Sequence, residues 1–343
     1  MSDTVYLSFD ALHAQVQRIL VRAGLSEAHA AAIARVIARG ERDQCRSHGI
    51  YRIRGVIKTL QGGVADGTVL PQVDDPADRP VVRVNAGGGF SPLAFEQGAP
   101  LLAAKARRFG IAAMAINDCV HFSALWPEVE QLADEGVAAL AMCPSNAYVA
   151  PAGGIRKLLG TNPLAFAWPC TGGMPYVFDF ATSVVARGEV ELYRLDGKTL
   201  PDGWGIDPQG KPTNDPAAAL DGALLTFGGY KGSAIATMIE ILAGVLIGDL
   251  TSVESSEVDK GRLLAPRHGE LLIAISPDAF GATDRVAHTR RLLDEFAAQG
   301  ARLPSQRRHA AREQSAREGI AISAENLARL KRMEAGDFSV ELH

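Results

Sequence analysis

Strand-like segments occupy only the middle of this chain, and both of its ends read as helix. Residues 9–23 carry apolar side chains at 9, 12, 16, 19 and 20, a helical stripe. Gly24 ends that helix, and Ser26 is an N-cap for a second one running from Glu27 to about Arg42. A third helix begins at the His48 segment and closes at Gly62-Gly63. Beyond residue 282 come helical stretches at 283–298, 305–317 and 323–333. A helix with one apolar face has to bury it against another element, so the two ends are expected to pack together.

Between them the character changes. Residues 81–85 read as a strand, followed by a Gly87-Gly88-Gly89 turn, a helix over 92–109 and the apolar run 111–116. Further strands are expected at 137–143, 164–168, 177–180 and 271–275. A long helix over 232–247 carries Ile235, Met238, Ile239, Leu242 and Leu246, a broad apolar face read as core. The expected division is a helical part at 1–75, a central α/β body at 76–282, and C-terminal helices at 283–343 packing on the first part.

The 343 residues are enough for two domains or one elaborate one, and 47% hydrophobic with 22% charged residues suits a soluble globular protein. A net charge of −4 leaves no footprint for nucleic acid, and no basic block suggests a membrane surface. Residues 235–250 are interrupted by Glu240 and Gly244, so no run approaches spanning length. The start, MSDTVYLSFD, does not read as a signal peptide. Cys45, Cys119, Cys143 and Cys170 are scattered, with no CxxC and no histidine at metal-ligand spacing. Reduced thiols in a cytoplasmic protein without a metal are the expectation.

The densest chemistry lies in Arg46-Ser47-His48-Gly49-Ile50-Tyr51-Arg52. His48 and Arg52 are four apart and would share a face of a helix. Arg52 can clamp a carboxylate bidentately, and His48 can pass a proton near neutral pH. No G-x-G-x-x-G follows a strand and no phosphate-binding P-loop is present, so the ordinary dinucleotide fingerprints are absent. Four other segments could meet a ligand. His121-Phe122-Ser123-Ala124-Leu125-Trp126 follows a strand, although a lone histidine is commonly structural. Gly160-Thr161-Asn162-Pro163 offers a hydroxyl and amides, or is a plain turn. Phe178-Asp179-Phe180-Ala181-Thr182-Ser183 runs on to Glu189 and could meet a ribose or phosphate, or merely cap a helix. Gly228-Gly229-Tyr230-Lys231-Gly232-Ser233 opens the long helix, where free amides beside a lysine suit an anion.

Taken together, SHGIYR (47–52), HFSALWP (121–127), GTNPLAF (160–166), FDFATS (178–183) and FGGYKGS (227–233) come in one order. In that order they resemble the malate/L-lactate dehydrogenase family that lacks a Rossmann fold, from about residue 5 to about 333. That family also holds ureidoglycolate dehydrogenase and the Δ1-piperideine-2-carboxylate/Δ1-pyrroline-2-carboxylate reductases. The resemblance implies an α/β (α+β) homodimer with a non-Rossmann nicotinamide-binding domain. Its sheet would be largely antiparallel, flanked by a helical domain from both chain ends.

Carried over by motif, His48 would donate the proton, supported by Ser47, while Arg52 and Thr161 bind the substrate. His121, Phe122, Ser123, Ala124, Leu125, Phe178, Asp179, Phe180, Tyr230 and Lys231 would line the cofactor. So would Arg302, Leu303, Pro304, Ser305, Gln306, Arg307 and Arg308, where an arginine could pair a 2′-phosphate and select NADPH, with NADH possible. HFSALWPEVE, LPDGWGIDPQGKPT and ARLPSQRR are most similar to the cyclic imine reductases. At Glu189 the keto-acid members usually carry lysine and the imine reductases an acid, so Glu189 would complete a relay and raise the pKa of His48. Glu in place of Asp there, Tyr230 in place of a histidine, and Val120 where a second histidine can precede His121 depart from that branch. The expected reaction is reduction of Δ1-piperideine-2-carboxylate or Δ1-pyrroline-2-carboxylate, with NADPH delivering hydride to C2. The alternatives are a 2-hydroxy-acid dehydrogenase working on a 2-keto acid, of malate, lactate or ureidoglycolate type, and a catalytically silent member of the fold.

Overall fold

The computed structural model describes residues 4–342. The chain opens with β1 (Thr4–Leu7), α1 (Phe9–Arg22) and α2 (Glu27–Arg42). Both helices start at serine caps: Ser8 Oγ accepts from the Ala11 amide at 3.1 Å, and Ser26 Oγ from the His29 amide at 3.4 Å. The third helix starts later than its sequence suggests. Residues 46–48 and 50–52 form two 3₁₀ turns, and α3 spans only Ile53–Gln61. Gly49 breaks the run, with φ −90° and ψ −147°. Glu41 is the cause: its Oε1 accepts from the Ile50 amide at 2.8 Å, and a Cβ on Gly49 would sit 2.0 Å from that oxygen. His48 and Arg52 therefore lie on successive turns, not on one face of a helix.

The middle of the chain runs β2 (Gln72–Asp74), β3 (Val81–Asn85), α4 (Ser91–Phe109), β4 (Ile111–Val120), α5 (Trp126–Asp134), β5 (Ala138–Met142), β6 (Leu164–Trp168) and β7 (Tyr176–Phe180). It continues through α6 (Arg187–Leu195), β8 (Gly205–Ile206), β9 (Pro212–Thr213), α7 (Pro216–Asp221), β10 (Ala223–Leu224), α8 (Tyr230–Glu240), α9 (Ser252–Asp259) and β11 (Arg267–Ile275). The last elements are α10 (Arg285–Ala298), α11 (Gln306–Glu318), β12 (Ile320–Ser323) and α12 (Ala324–Glu334).

The main sheet is mixed, in the order β2-β3-β4-β11-β5-β6-β7, and only β3–β4 runs parallel. α4 and α5 cover one face, where Val84, Leu102, Met114, Val129 and Leu272 share a core. α4 lies close because Gly98 presents no side chain; a Cβ there would meet Met114 Sδ at 2.2 Å. The other face carries α8, through Ile239 and Ala243 against Met142 and Leu271. A small three-stranded sheet, β10-β8-β9, forms a satellite core with α6 and α7 around Val190, Leu200 and Ala219.

The chain ends meet. β1 pairs antiparallel with β12, Thr4 opposite Ser323 and Leu7 opposite Ile320. Leu12, Ile19, Ile33, Ile53, Leu330 and Met333 share one core. α10 goes elsewhere: it buries no residue and meets β6 where Trp168 Nε1 donates to Thr289 Oγ1 at 3.1 Å. The apolar face expected to be core over 232–247 is only half buried. α8 passes into a π-helical turn over Ile241–Val245, and Met238, Ile241, Val245 and Leu246 face outward, because the sheet covers only one side of the helix. Among the described residues, no helix is long and apolar enough to cross a membrane.

Candidate active site

The 3₁₀ turns carrying His48 and Arg52 face the start of α5. The His48 ring stands edge-on to Trp126, with centroids 5.6 Å apart and planes at 88°. Arg52 Cζ lies 4.9 Å over the Phe122 ring. Ser47 Oγ is 3.1 Å from His48 Nδ1. Trp126 is clamped at both ends: its amide donates to Asp179 Oδ2 at 3.0 Å and its indole Nε1 to Asp43 Oδ2 at 3.3 Å. On its other side Arg308 Cζ lies 5.0 Å over the ring. The Arg308 guanidinium donates to Ser305 Oγ, which itself donates to the Val177 carbonyl. Three segments distant in sequence thus converge on one tryptophan.

The charge in this cleft is cationic. Among the described residues neither Arg52 nor Arg308 has a carboxylate ion pair, and burial lowers the pKa of Arg52. Burial, then the positive charges of Arg52 and Arg308, pull His48 down to about 3, so its imidazole is neutral at physiological pH. The direction is opposite to the one expected from a Glu189 relay. Glu189 is exposed in the first turn of α6 and has no hydrogen bond or ion pair to His48 within the chain. Burial pushes Asp179 up to about 6, against the Trp126 amide and Arg308, which favour its charge.

Thr161 is held by a device the sequence hides. Asn162, in the left-handed region at φ 28°, donates through Nδ2 to Glu240 Oε1 at 2.7 Å and to the Ala236 carbonyl at 3.2 Å. Glu240 also accepts from the Ser252 amide at 2.8 Å. The Thr161 amide donates to Ser145 Oγ at 3.1 Å, and its carbonyl accepts from the Thr182 amide at 2.8 Å, beside the end of β7. The one sequence signal for Glu240 was a carboxylate inside an apolar helix.

The segments expected to line a cofactor fall around the same cleft. Phe178 and Phe180 stack at 5.1 Å, and Phe180 meets Phe227 edge-on at 5.8 Å, bringing the turn before Tyr230 and Lys231 to the end of β7. Both residues are exposed at the start of α8, whose N-cap Gly229 offers no side-chain cap. Ser305 stands at the N-cap of α11 with φ 63° and does not cap it, because its hydroxyl turns to Val177. Open amides beside Arg302, Arg307 and Arg308, on the loop through Leu303, Pro304 and Gln306, fit the phosphates of a dinucleotide. His121 differs from its neighbours in being buried; burial, then His268, Arg52 and His48, hold it well below the usual histidine range. Phe122 donates its amide to Ser91 Oγ at 3.2 Å, and Ser123 turns its hydroxyl to the Ala124 carbonyl at 2.7 Å, just before Leu125.

A Δ1-pyrroline-2-carboxylate reductase of Agrobacterium fabrum is 54% identical over 336 residues, covering 97% of each chain. A Δ1-pyrroline-2-carboxylate/Δ1-piperideine-2-carboxylate reductase of Pseudomonas aeruginosa is 54% identical over 321 residues, 93% of this chain and 96% of that protein. The crystal structure of Δ1-piperideine-2-carboxylate reductase from Pseudomonas syringae pv. tomato superposes with a TM-score of 0.92 at 40% identity, over 96% of this chain and 99% of that one. Residues 7–331 match the malate/L-lactate dehydrogenase family, and the chain belongs to it.

Proposed function

We propose that this chain reduces the C=N bond of cyclic imino acids, Δ1-pyrroline-2-carboxylate to L-proline and Δ1-piperideine-2-carboxylate to L-pipecolate, using NADPH. The reactions named for its relatives at 54% identity support the substrate class. The observation that carries the reading is Arg52, spread over Phe122 beside His48 and lacking a carboxylate of its own.

Arg52 takes the substrate carboxylate in a two-point hydrogen bond. That contact turns the imine nitrogen towards His48 and leaves Thr161 for a further polar contact. Ser47 holds Nδ1 of His48, which leaves Nε2 for the substrate. In the free chain burial, helped by two guanidiniums, keeps His48 neutral. A carboxylate on Arg52 cancels one of them and a phosphate on Arg308 the other. His48 then takes up a proton and hands it to the ring nitrogen, so protonation is tied to formation of the complete complex. The bound nicotinamide supplies the hydride for C2. Its holders would be residues 121–125 and 178–180, Tyr230 and Lys231, and residues 302–308, whose arginines favour NADPH over NADH.

We read the site as lying in the seam between a helical part, residues 1–75 with 283–343, and the sheet part, residues 76–282. A cytoplasmic homodimer completes the reading, supported by the outward apolar residues Met238, Ile241, Val245 and Leu246. Glu189 joins a relay with His48 only if a second copy or a movement of α6 brings it there. The deciding experiment follows NADPH consumption by the purified protein with the two cyclic imines and, in parallel, with pyruvate and oxaloacetate. Turnover on the imines alone supports the proposal. Turnover on the keto acids alone replaces it with a 2-hydroxy-acid dehydrogenase.

A further inference from the structure

Behind the wall that carries Phe122 lies a second group of reactive side chains, of which only His121 also belongs to the proposed cofactor wall. His121 follows β4, Cys143 follows β5, and His268 and Glu270 share one face of β11, two residues apart. All four are buried, with exposures of 8%, 1%, 0% and 0%. Donor atoms of His121, Cys143 and His268 lie within 4.8 Å of one another. His121 Nε2 is 3.7 Å from Cys143 Sγ and 3.6 Å from Glu270 Oε2. Nitrogen, oxygen and sulfur ligands at about 2.0–2.3 Å from one ion stand roughly 3.3–3.8 Å apart along a tetrahedron's edges.

The hydrogen bonding leaves room for an ion. His268 Nδ1 is bonded to the Gly269 carbonyl at 2.8 Å, which fixes the ring and turns the Nε2 lone pair inward, where it has no partner. A histidine held through its far nitrogen by a carbonyl is the usual posture of a metal ligand. Glu270 faces the buried carboxyl of Glu128, and with both acids pushed up by burial the pair shares a proton in the metal-free chain. An unmet buried acceptor such as His268 Nε2 is costly and rare, and a cation would satisfy it.

The backbone is shaped for the gathering. The β4–β11 register shifts between His268 and Glu270, with Asp118 opposite in the left-handed region at φ 53°. Arg267 Nε donates to Asp118 Oδ1 at 2.7 Å, and the Asp118 amide to Asp249 Oδ2 at 2.7 Å, which pins the bulge just ahead of His121.

We propose that this chain binds one Zn²⁺ ion through His121, Cys143 and His268, with the Glu270 carboxylate beside His121 as a counter-charge. Two imidazoles and a thiolate select a borderline-soft ion over Ca²⁺ or Mg²⁺, which want oxygen. A thiolate and a carboxylate balance the two positive charges in a site that water does not reach. The bound ion fixes the His121 ring directly behind Phe122 and Arg52. This assignment uses no step of the imine-reductase reading, although the two share His121.

The test uses the full chain stripped with a chelator and titrated with Co²⁺, then with Zn²⁺. One Co²⁺ per chain with a thiolate-to-cobalt charge-transfer band, displaced by Zn²⁺, is the expected result. Cys143→Ser should abolish the band, and His268→Gln should weaken Zn²⁺ binding by about a hundredfold or more. Absence of the band from the wild-type chain overturns the proposal, as does its persistence in Cys143→Ser. Should the variants not fold, X-ray absorption of the zinc-loaded wild type decides. One sulfur and two imidazole nitrogens are expected, and a shell of only oxygen and nitrogen overturns the site.

Discussion

Two sets of arginines near Trp126 behave in opposite ways. Arg312, on α11, is saturated. It donates to Asp43 at 3.1 and 2.7 Å and to Glu130 at 3.0 and 2.9 Å, and Arg42 adds a bond to Asp43 at 2.7 Å. Burial would raise the Asp43 carboxyl, but the hydrogen bonds from Arg312 and Arg42 outweigh it and hold it below the usual range. Arg52 and Arg308 lie over the rings of Phe122 and Trp126 and have no ion pair. The first set ties the C-terminal helix to α2 and α5. The second leaves positive charge facing the cleft, where only an anion can complete it. A cation satisfied within the fold holds structure together, and one left unsatisfied waits for a ligand.

The sharpest way to break that contrast is to remove one member of each set. Arg312→Met leaves Glu130 without its cation and Asp43 with Arg42 alone, and should cost about 3 kcal/mol of stability, read by urea unfolding. Arg52→Met should leave unfolding unchanged or slightly delayed while kcat/KM for the imine falls by about 2–5 kcal/mol of transition-state binding. If Arg52→Met unfolds as easily as Arg312→Met, Arg52 is structural and the distinction fails.

Protonation sharpens the same contrast. His48 is held near 3, below its ordinary value of 6.5, so the free chain carries it neutral at physiological pH. Burial is the larger cause of that depression and the two guanidiniums the smaller, so anions on Arg52 and Arg308 should raise the His48 pKa, and forming the complex should take up a fraction of a proton. Affinity for L-proline in the presence of oxidised cofactor should then weaken as pH rises, by less than about tenfold per unit. Calorimetry in buffers of different ionisation enthalpy counts the proton, and His48→Asn should abolish the uptake. Uptake that survives in His48→Asn would assign the proton to another group. The smallest effect belongs to Glu240→Gln, which weakens the bonds around Asn162 and Thr161. A loss of about 1–2 kcal/mol in stability and a several-fold rise in KM are expected. A change in stability alone would remove Thr161 from the substrate site.

Much of the fold was legible because its signals are local. The stripe in α1, the serine cap of α2, and the expected strands at 81–85 and 164–168 follow from residues within a few positions of each other. The failures share one cause. The β1–β12 ladder joins residues more than three hundred positions apart, and no local pattern announces it. The break at Gly49 depends on Glu41 reaching across from α2, and the exposed half of α8 depends on which side the sheet covers. At the site, the residue types and their order were readable, but the binding of Trp126 to Asp43 and Asp179 was not.

By itself the sequence determined the helical ends, the strand-rich middle, the absence of the ordinary dinucleotide fingerprint and the motifs that mark the family. Tertiary structure alone decided the charge states. His48 is neutral because protein surrounds it and two guanidiniums face it, and neither condition is visible in SHGIYR. It likewise assembled His121, Cys143 and His268, whose spacing along the chain suggested no metal site, because a bulged sheet brings three distant strand ends to one point. Helix and strand periodicity are properties of neighbours in the chain, whereas desolvation and ligand geometry are properties of neighbours in space.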